Sequence, residues 1–256
     1  ISLYELLKPA QPVQYGGVVN LGGAALVTLS PELFFEQSKN RITMRPMKGT
    51  AARGANTAQD LKRANALQAD PKNRAENLMI VDLLRNDLSR IATAGSVQVP
   101  DLFSVETYPS LHTMTSTVTA HLTGHSIEDT LHALFPCGSI TGAPKIRAME
   151  IIQDIEANPR GAYCGAIGMF DPDGAARFNV AIRTLSLSPN GRYSYGVGSG
   201  VVADSDAQSE YTECLLKAKF LGTTSASIPV TRPVTSPDFG LIETLGWHPD
   251  TGFMWL

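Results

Sequence analysis

The sequence predicts an α+β fold, and two patterns indicate it. Three successive strand patterns, at residues 163–170, 176–187 and 193–203, are separated by the turn sequences Asp-Pro-Asp-Gly and Pro-Asn-Gly. Four helical stretches accompany these strands. The 256 residues include 22 glycines and 16 prolines, which favour many turns, and 43% are apolar, so the chain can build a core.

The N-terminal part begins with the end of a helix, which Pro9 and Pro12 terminate. Alternating residues then predict a hairpin of strands at 18–21 and 25–28. A short strand at 42–45 leads into a loop with the sequence Arg-Pro-Met-Lys-Gly-Thr.

Residues 57–90 are predicted to be helical in two pieces that divide near Pro71. In the second piece, apolar residues recur at helical spacing and are predicted to form a buried stripe, namely Leu78, Val81, Leu84 and Leu88. Asp82 and Arg85 are three residues apart and are predicted to form a local ion pair.

The middle of the chain alternates between strands and helices. Strands are predicted at 97–100 and 114–122, and a short helix at 127–135. The loop 136–145 is rich in small residues and leads into a helix whose predicted apolar side consists of Ile146, Met149, Ile151, Ile152 and Ile155. Hydroxyls and free N–H groups at a helix start favour an anion, although many helices begin this way.

Lys48 and Glu32 are the residues that we expect to carry chemistry. Lys48 lies between a proline, which stiffens the chain, and Gly49, which allows backbone to approach a ligand. Glu32 follows an apolar run and is the candidate acid partner of a nucleophilic Lys48. Gly49 and Thr50 could offer N–H and hydroxyl groups to an anion. The alternative for Lys48 is a surface lysine in a turn.

The predicted C-terminal strands contain an arginine and a glycine run. Arg183 lies within a strand pattern, where a buried arginine is costly unless it meets an anion. The run Gly196-Val197-Gly198-Ser199-Gly200 leaves room for a ligand against the backbone. A bulge and a surface arginine are the alternative interpretation.

The helix predicted at 204–220 carries two carboxylates on one face. Glu210 and Glu213 are three residues apart, and Lys217 follows one turn later. Like charges at this spacing repel unless a cation joins them. The alternative is a solvated acidic face that Lys217 partly neutralises.

Composition excludes several functions. A net charge of −3 argues against an extended nucleic-acid surface. Three widely spaced cysteines indicate neither a zinc site nor a disulfide framework and suit a reducing cytosol. We find no signal peptide and no apolar run that would cross a membrane. Both ends stop abruptly, and we expect a fragment of a longer chain.

Taken together, these signals resemble the chorismate-utilising enzymes over about residues 1–222. The matching stretches are 30–34, 45–50, 75–87, 138–145, 161–168 and 196–217. The Pro-x-Lys-Gly-Thr loop looks like that of the aminodeoxychorismate synthase component I branch, whereas anthranilate synthases have a small residue where Lys48 stands. The family fold is α+β, with two packed β-sheets and helices outside.

The resemblance implies roles for the candidate residues. A Mg²⁺ ion would hold the ring carboxylate of chorismate through Glu76 and Glu213, with Glu210 close by. Tyr163 and Arg183 would hold the enolpyruvyl carboxylate. The anion cradle would be completed by Ser139, Gly198, Ser199, Gly200 and Lys217.

The resemblance also implies a reaction. Lys48 would attack the ring while Glu32 protonates the departing hydroxyl, and ammonia from a glutamine amidotransferase would then displace the lysine to give 4-amino-4-deoxychorismate. Lys48 would have to be uncharged, which burial and nearby positive charge favour. Two alternatives stay open, namely an anthranilate synthase component I and a non-catalytic chorismate-binding module.

Two positions depart from the family pattern: Asn73 stands where relatives often have an acidic residue, and Cys137 stands where glycine is usual. The position at which anthranilate synthases have a histidine falls at Thr113, beside His112. Beyond the catalytic domain at 1–222, residues 223–238 are a predicted linker. Residues 239–256 look like the start of an aminodeoxychorismate lyase.

Overall fold

A computed structural model describes residues 2–20, 22, 24–109, 111–203, 205–218, 221, 246–248 and 252–254. Within these residues the helices are α1 (Ser2–Leu7), α2 (Thr57–Ala69), α3 (Pro71–Ser89), α4 (Ile127–Leu134), α5 (Gly138–Thr141), α6 (Lys145–Ile155) and α7 (Ala207–Ala218). None of these described helices is long and apolar enough to span a bilayer.

The strands of the described residues follow in chain order. They are β1 (Tyr15–Asn20), β2 (Ala25–Ser30), β3 (Leu33–Ser38), β4 (Arg41–Arg45), β5 (Met47–Ala52), β6 (Gln98–Thr107), β7 (Leu111–His121), β8 (Ala166–Phe170), β9 (Ala176–Val180), β10 (Thr184–Leu187), β11 (Tyr193–Tyr195), β12 (Gly246–His248) and β13 (Gly252–Met254).

The described strands pair antiparallel and form two main sheets. One sheet has the order β1-β2-β10-β11. The other has the order β5-β7-β4-β3-β9-β8, with β6 also paired to β7. Strands β12 and β13 pair with each other. The predicted α+β class is therefore confirmed, whereas the predicted linker at 223–238 lies outside the described residues.

The chain divides into two compact units. The first comprises Ile1–Pro31, Glu150–Gly165 and Ala181–Leu256, and the second comprises Glu32–Met149 and Ala166–Val180. The core of the first unit has Leu7, Val27, Leu29, Leu185 and Leu221 at its centre. Burying one such side chain contributes about 1.5–3 kcal/mol to the stability of the fold. The packing of α1 against the sheet therefore stabilises both.

The second unit has a larger sheet with an aromatic cluster. Phe34 and Phe35 are almost fully buried on β3, and the Phe35 ring stacks on Phe178 of β9 at a centroid distance of 5.1 Å. The long strand β7 alternates small hydroxyl residues with apolar ones and places Met114 and Val118 in the core. β-Branched threonines and valines suit such a pleated, half-buried surface.

Local periodicity predicted most elements correctly. The hairpin β1–β2 and the division between α2 and α3 at Pro71 are confirmed. Asp70 caps α3 by accepting from the Asn73 N–H at 2.8 Å, and Pro71 occupies the first turn, where its missing N–H costs nothing. The strand predicted at 97–100 extends to residue 107.

The predicted strand 176–187 is wrong as a single strand, because it divides into β9 and β10, which belong to different sheets. Arg183 lies between them with φ of +51°, a left-handed conformation that breaks the pleat. The strand predicted at 193–203 ends at Tyr195, and the glycine run that follows is not a strand.

The apolar stripe predicted for α3 is confirmed at Val81, Leu84 and Leu88, which are buried, and wrong at Leu78, which is 43% exposed. The buried face of the helix also contains Ile80 and the polar Asn77 and Asp87. On α6, three of the predicted apolar residues are exposed in the described part of the chain, namely Ile146, Ile151 and Ile155.

The buried Asp87 forms an ion pair that ties α3 to the start of α6. Lys145 Nζ lies 2.5 Å from Asp87 Oδ2, and it also donates to the carbonyl oxygens of Leu134 and Pro136 at 3.1 and 2.9 Å. Burial raises the pKa of Asp87, and Lys145 acts against that shift.

Replacing Lys145 by methionine is expected to destabilise the protein by about 3–5 kcal/mol, because a buried carboxylate loses its partner. Urea denaturation measures this loss. The control is Arg85→Met, which removes the predicted Arg85–Asp82 pair of α3; both side chains are more than half exposed, and the expected cost is below about 1 kcal/mol. Equal losses in the two variants would contradict the prediction.

Candidate functional site

Lys48 lies in a β-bulge of the second unit. Met47 pairs with Thr115 of β7 and Thr50 pairs with Thr113, so Lys48 and Gly49 together face the single residue Met114. Gly49 has φ of +83°, which a glycine adopts without steric cost. An extra residue changes the alternation of side chains along a strand, so the bulge determines how the half-buried Lys48 projects from the sheet.

Glu32 is buried close to Lys48. Its side chain is hydrogen-bonded by the Ser139 side chain and by the backbone N–H of Met47. Burial raises the pKa of Glu32, while Ser139, the positive charge of Lys48 and the Met47 N–H act in the opposite direction. A carboxyl with a raised pKa keeps its proton longer and can act as an acid. The second unit therefore brings together the predicted nucleophile and the predicted acid.

Ser139 and Cys137 extend this arrangement. Both side chains are buried, and Cys137 Sγ lies 3.2 Å from Ser139 Oγ. Burial and the charge of Glu32 raise the pKa of the Cys137 thiol to about 12, so the thiol is neutral. Cys137, which stands where the family usually has glycine, thus places a neutral thiol beside the Ser139 hydroxyl that contacts Glu32. The local sequence does not predict the contact between Cys137 and Ser139.

His112 occupies a different network of the second unit. Its Nε2 bonds Asp60 and its Nδ1 bonds Thr107, each at 2.9 Å. The Arg53 guanidinium, the Gly54 N–H and His112 hold the pKa of Asp60 well below its usual range. Because both ring nitrogens have protein partners, His112 joins α2 to β6 and β7.

The predicted Tyr163 and glycine run come together in the first unit. A Cβ added at Gly196 would lie 2.3 Å from Tyr163 Cγ, and one added at Gly198 would lie 2.8 Å from the Tyr163 hydroxyl. The glycines are therefore needed to admit the tyrosine ring. Burial raises the pKa of Tyr163, so its phenol stays neutral and can donate a hydrogen bond.

Arg183 is held in a strained conformation in the same unit. Its φ of +51° and the φ of +64° at Cys164 are both left-handed. The two segments are joined because the Cys164 N–H donates to Ala181 O at 3.1 Å and the Ala181 N–H donates to Gly165 O at 2.8 Å. Such strain costs about 1–3 kcal/mol per residue and is typical of functional sites.

Lys217 connects helix α7 to the glycine run. Its Nζ donates to Gly198 O at 2.8 Å and lies 2.6 Å from the Glu213 carboxylate. The carboxylate of Glu210 accepts from Ser205 Oγ at 2.7 Å. The first unit thus joins Tyr163, Gly198, Lys217 and Glu213 through direct contacts, while Ser199 and Gly200 follow in the same loop.

The predicted metal ligands are divided between the units. Glu76 lies on α3, one turn after Asn73, whereas Glu210 and Glu213 lie on α7. All three offer carboxylate oxygens, the donors that Mg²⁺ prefers, but among the described residues no three His, Cys, Asp or Glu side chains are grouped closely enough to hold a metal ion. The ligand set stays a prediction.

Structure also supplies residues that the sequence did not reveal. Thr113 Oγ1 donates to Gly49 O at 3.1 Å, and a Cβ added at Gly49 would lie 2.7 Å from Asn73 Oδ1. Both contacts join residues far apart in the chain. Their only signals in the sequence are that Asn73 departs from the family pattern and that Thr113 stands where anthranilate synthases have a histidine.

This α+β fold, with the buried Glu32 close to the half-buried Lys48, has clear relatives. Residues 1–223 match the family described as chorismate binding enzyme, and the chain belongs to that family.

Individual relatives are more specific. The chain is similar to aminodeoxychorismate synthase component 1 of Klebsiella aerogenes, with 46% identity over 211 residues that cover 82% of this chain and 47% of that protein. A Haloarcula marismortui anthranilate synthase component 1 is 40% identical over 217 residues, 83% of this chain and 40% of that protein. The crystal structure of anthranilate synthase component I from Streptococcus pneumoniae has a TM-score of 0.77 at 37% identity, covering 84% of this chain and 48% of that one. The chain therefore spans about half the length of the relatives it matches.

Proposed function

We propose that the chain supplies the catalytic part of an aminodeoxychorismate synthase, which converts chorismate and ammonia to 4-amino-4-deoxychorismate. The observation that carries this proposal is the buried Glu32 next to Lys48 on its bulge. An amine nucleophile beside a carboxyl that keeps its proton suits substitution of a ring hydroxyl, because hydroxide leaves poorly unless it is protonated. The identity to aminodeoxychorismate synthases supports the same choice.

In the first step the Lys48 amine forms a bond to the ring carbon next to the carboxylate-bearing carbon. Both double bonds of the ring shift along the conjugated system towards the carbon that bears the hydroxyl, the carbon–oxygen bond of the hydroxyl breaks, and Glu32 gives its proton so that water departs. The new ammonium then returns a proton to Glu32, which restores the acid. The protein is left with a secondary amine at Lys48 and a neutral carboxyl.

In the second step ammonia attacks the carbon that carried the hydroxyl. Both double bonds shift back and the bond from Lys48 to the ring breaks, with a proton passing from the incoming nitrogen to the lysine. The sum is chorismate plus ammonia giving 4-amino-4-deoxychorismate plus water. No oxidant or reductant is needed.

Chorismate is a dianion, and the first unit offers groups suited to a carboxylate. Arg183 and the neutral phenol of Tyr163 can donate charge-assisted hydrogen bonds, and Gly196 and Gly198 lie against Tyr163. Glu76, Glu210 and Glu213 would hold Mg²⁺, which would supply positive charge for the other carboxylate.

The ammonia would come from a separate component. Two of the relatives at 46% identity are named component 1, which supports a partner, and we propose a glutamine amidotransferase. We also propose a cytoplasmic location, which suits three free cysteines among the described residues.

Anthranilate synthase is the second candidate, because a relative and a solved structure of that name match well. Incubating the full-length protein with chorismate, Mg²⁺ and ammonium salt and analysing the product by mass spectrometry separates the two. We expect 4-amino-4-deoxychorismate, with its enolpyruvyl group retained. Anthranilate would refute the proposal, and the absence of turnover and of any Lys48 adduct would favour a binding module.

A further inference from the structure

Gly49, the residue after Lys48, is contacted by side chains from two other elements. Thr113 of β7 is 3% exposed, and its hydroxyl donates to the Gly49 carbonyl oxygen at 3.1 Å. From α3, Asn73 lies so close that a Cβ at Gly49 would meet its Oδ1, Cγ and Cβ at 2.7, 2.9 and 3.0 Å. The glycine is therefore enclosed between a strand and a helix.

Each of these side chains is itself fixed. Asp70, the N-cap of α3, accepts from both the backbone N–H and the Nδ2 of Asn73 at 2.8 Å. Since the Asn73 amide nitrogen is bound to Asp70, its Oδ1 is turned towards Gly49. Thr113 pairs with Thr50 of β5 and with Glu106 of β6, so its backbone belongs to the centre of the sheet.

We propose that Thr113 and Asn73 form a clamp on Gly49 that aims the Lys48 amine for attack, which makes both of them positioning residues. The inference rests on the proposed function of Lys48. The bulge has an extra residue, and a bulge without side-chain contacts has several available conformations. The Thr113 hydroxyl fixes the Gly49 carbonyl, and Asn73 fills the space where a Cβ of residue 49 would lie, so one conformation is selected.

The clamp predicts a loss of rate without a loss of binding. Displacing a reacting group by about 1 Å can cost on the order of 100-fold in rate. Thr113→Val keeps the shape but removes the hydroxyl, so we expect kcat to fall about 10- to 100-fold with little change in KM for chorismate. Thr113→Ser retains the donor and is expected to stay within about threefold of the parent, because the hydrogen bond survives.

The experiment measures kcat, KM and the single-turnover rate of Lys48 adduct formation by mass spectrometry in the full-length protein. Thr119→Val is the matched control, since Thr119 is a buried threonine of the same strand that pairs with Thr43 and Gln98, outside the bulge. Asn73→Ala tests the second half of the clamp and decides the matter if Thr113→Val fails to fold.

Rate loss in Thr113→Val, rescue in Thr113→Ser and parental rates in Thr119→Val would support the clamp. Parental adduct formation in both Thr113→Val and Asn73→Ala would overturn it, and so would equal losses in Thr113→Val and Thr119→Val. Failure of the proposed function has a different signature, because then the parent itself makes no 4-amino-4-deoxychorismate and forms no lysine adduct.

Discussion

Lys48→Met in the full-length protein is expected to lower the rate of 4-amino-4-deoxychorismate formation by roughly 10⁴- to 10⁶-fold, the loss that removal of a nucleophile can cause. Methionine keeps the length and unbranched shape of the side chain while the attacking amine is lost. Because the predicted carboxylate contacts of chorismate lie elsewhere, its equilibrium binding in the presence of Mg²⁺ is expected to change by less than about tenfold.

Mass spectrometry of the quenched protein and product analysis measure the two effects of Lys48→Met. The parent should carry a chorismate-derived mass on the peptide that contains Lys48, and the variant should carry none. Lys62→Met is the control, since Lys62 is an exposed lysine of α2. Product formation by Lys48→Met at the parental rate would show that ammonia attacks chorismate directly.

Much of the secondary structure could be predicted because it depends on local sequence. The apolar period and Pro71 were enough to place α2 and α3, and alternation placed β1 and β2. The path through Arg183 could not be predicted, because a left-handed arginine is selected by tertiary contacts and looks like any other strand residue in the sequence.

The candidate site likewise has a part that could be predicted from the sequence and a part that could not. The resemblance supplied Lys48 and Glu32, and the structure places them close together in one unit. It could not supply the environment of Glu32, since Ser139 lies more than a hundred positions away and Cys137 departs from the family pattern. Likewise, the bulge at Lys48 depends on register against β7, which no local pattern encodes.

Glu32→Gln is expected to lower turnover by about 10²- to 10⁴-fold, because glutamine has the shape of the acid but gives no proton to the departing hydroxyl. The same acid makes the parent lose turnover as the pH rises through the raised pKa of Glu32. Removing a hydrogen bond to the charged form by Ser139→Ala should move this loss to higher pH. If Glu32→Gln keeps parental turnover, Glu32 is not the acid.

Glu32→Gln is expected to raise the stability of the protein, although it lowers turnover. Below the ordinary pKa of 4.5, Glu32 is protonated in both the folded and the unfolded chain and has no pH-dependent effect. As the pH rises from there towards the raised folded pKa, the unfolded chain releases its proton while the folded chain keeps it, so the free energy of unfolding falls.

Glutamine has no such dependence, and Glu32→Gln should therefore be more stable than the parent at pH 7 by a margin that shrinks towards pH 4. Urea denaturation across this range measures the margin. Glu36→Gln is the control, because Glu36 is a half-exposed carboxylate of β3 that pairs with Arg177. A margin that does not vary with pH would mean that Glu32 releases its proton as readily in the folded chain as in the unfolded one, and the acid role would lose its physical basis.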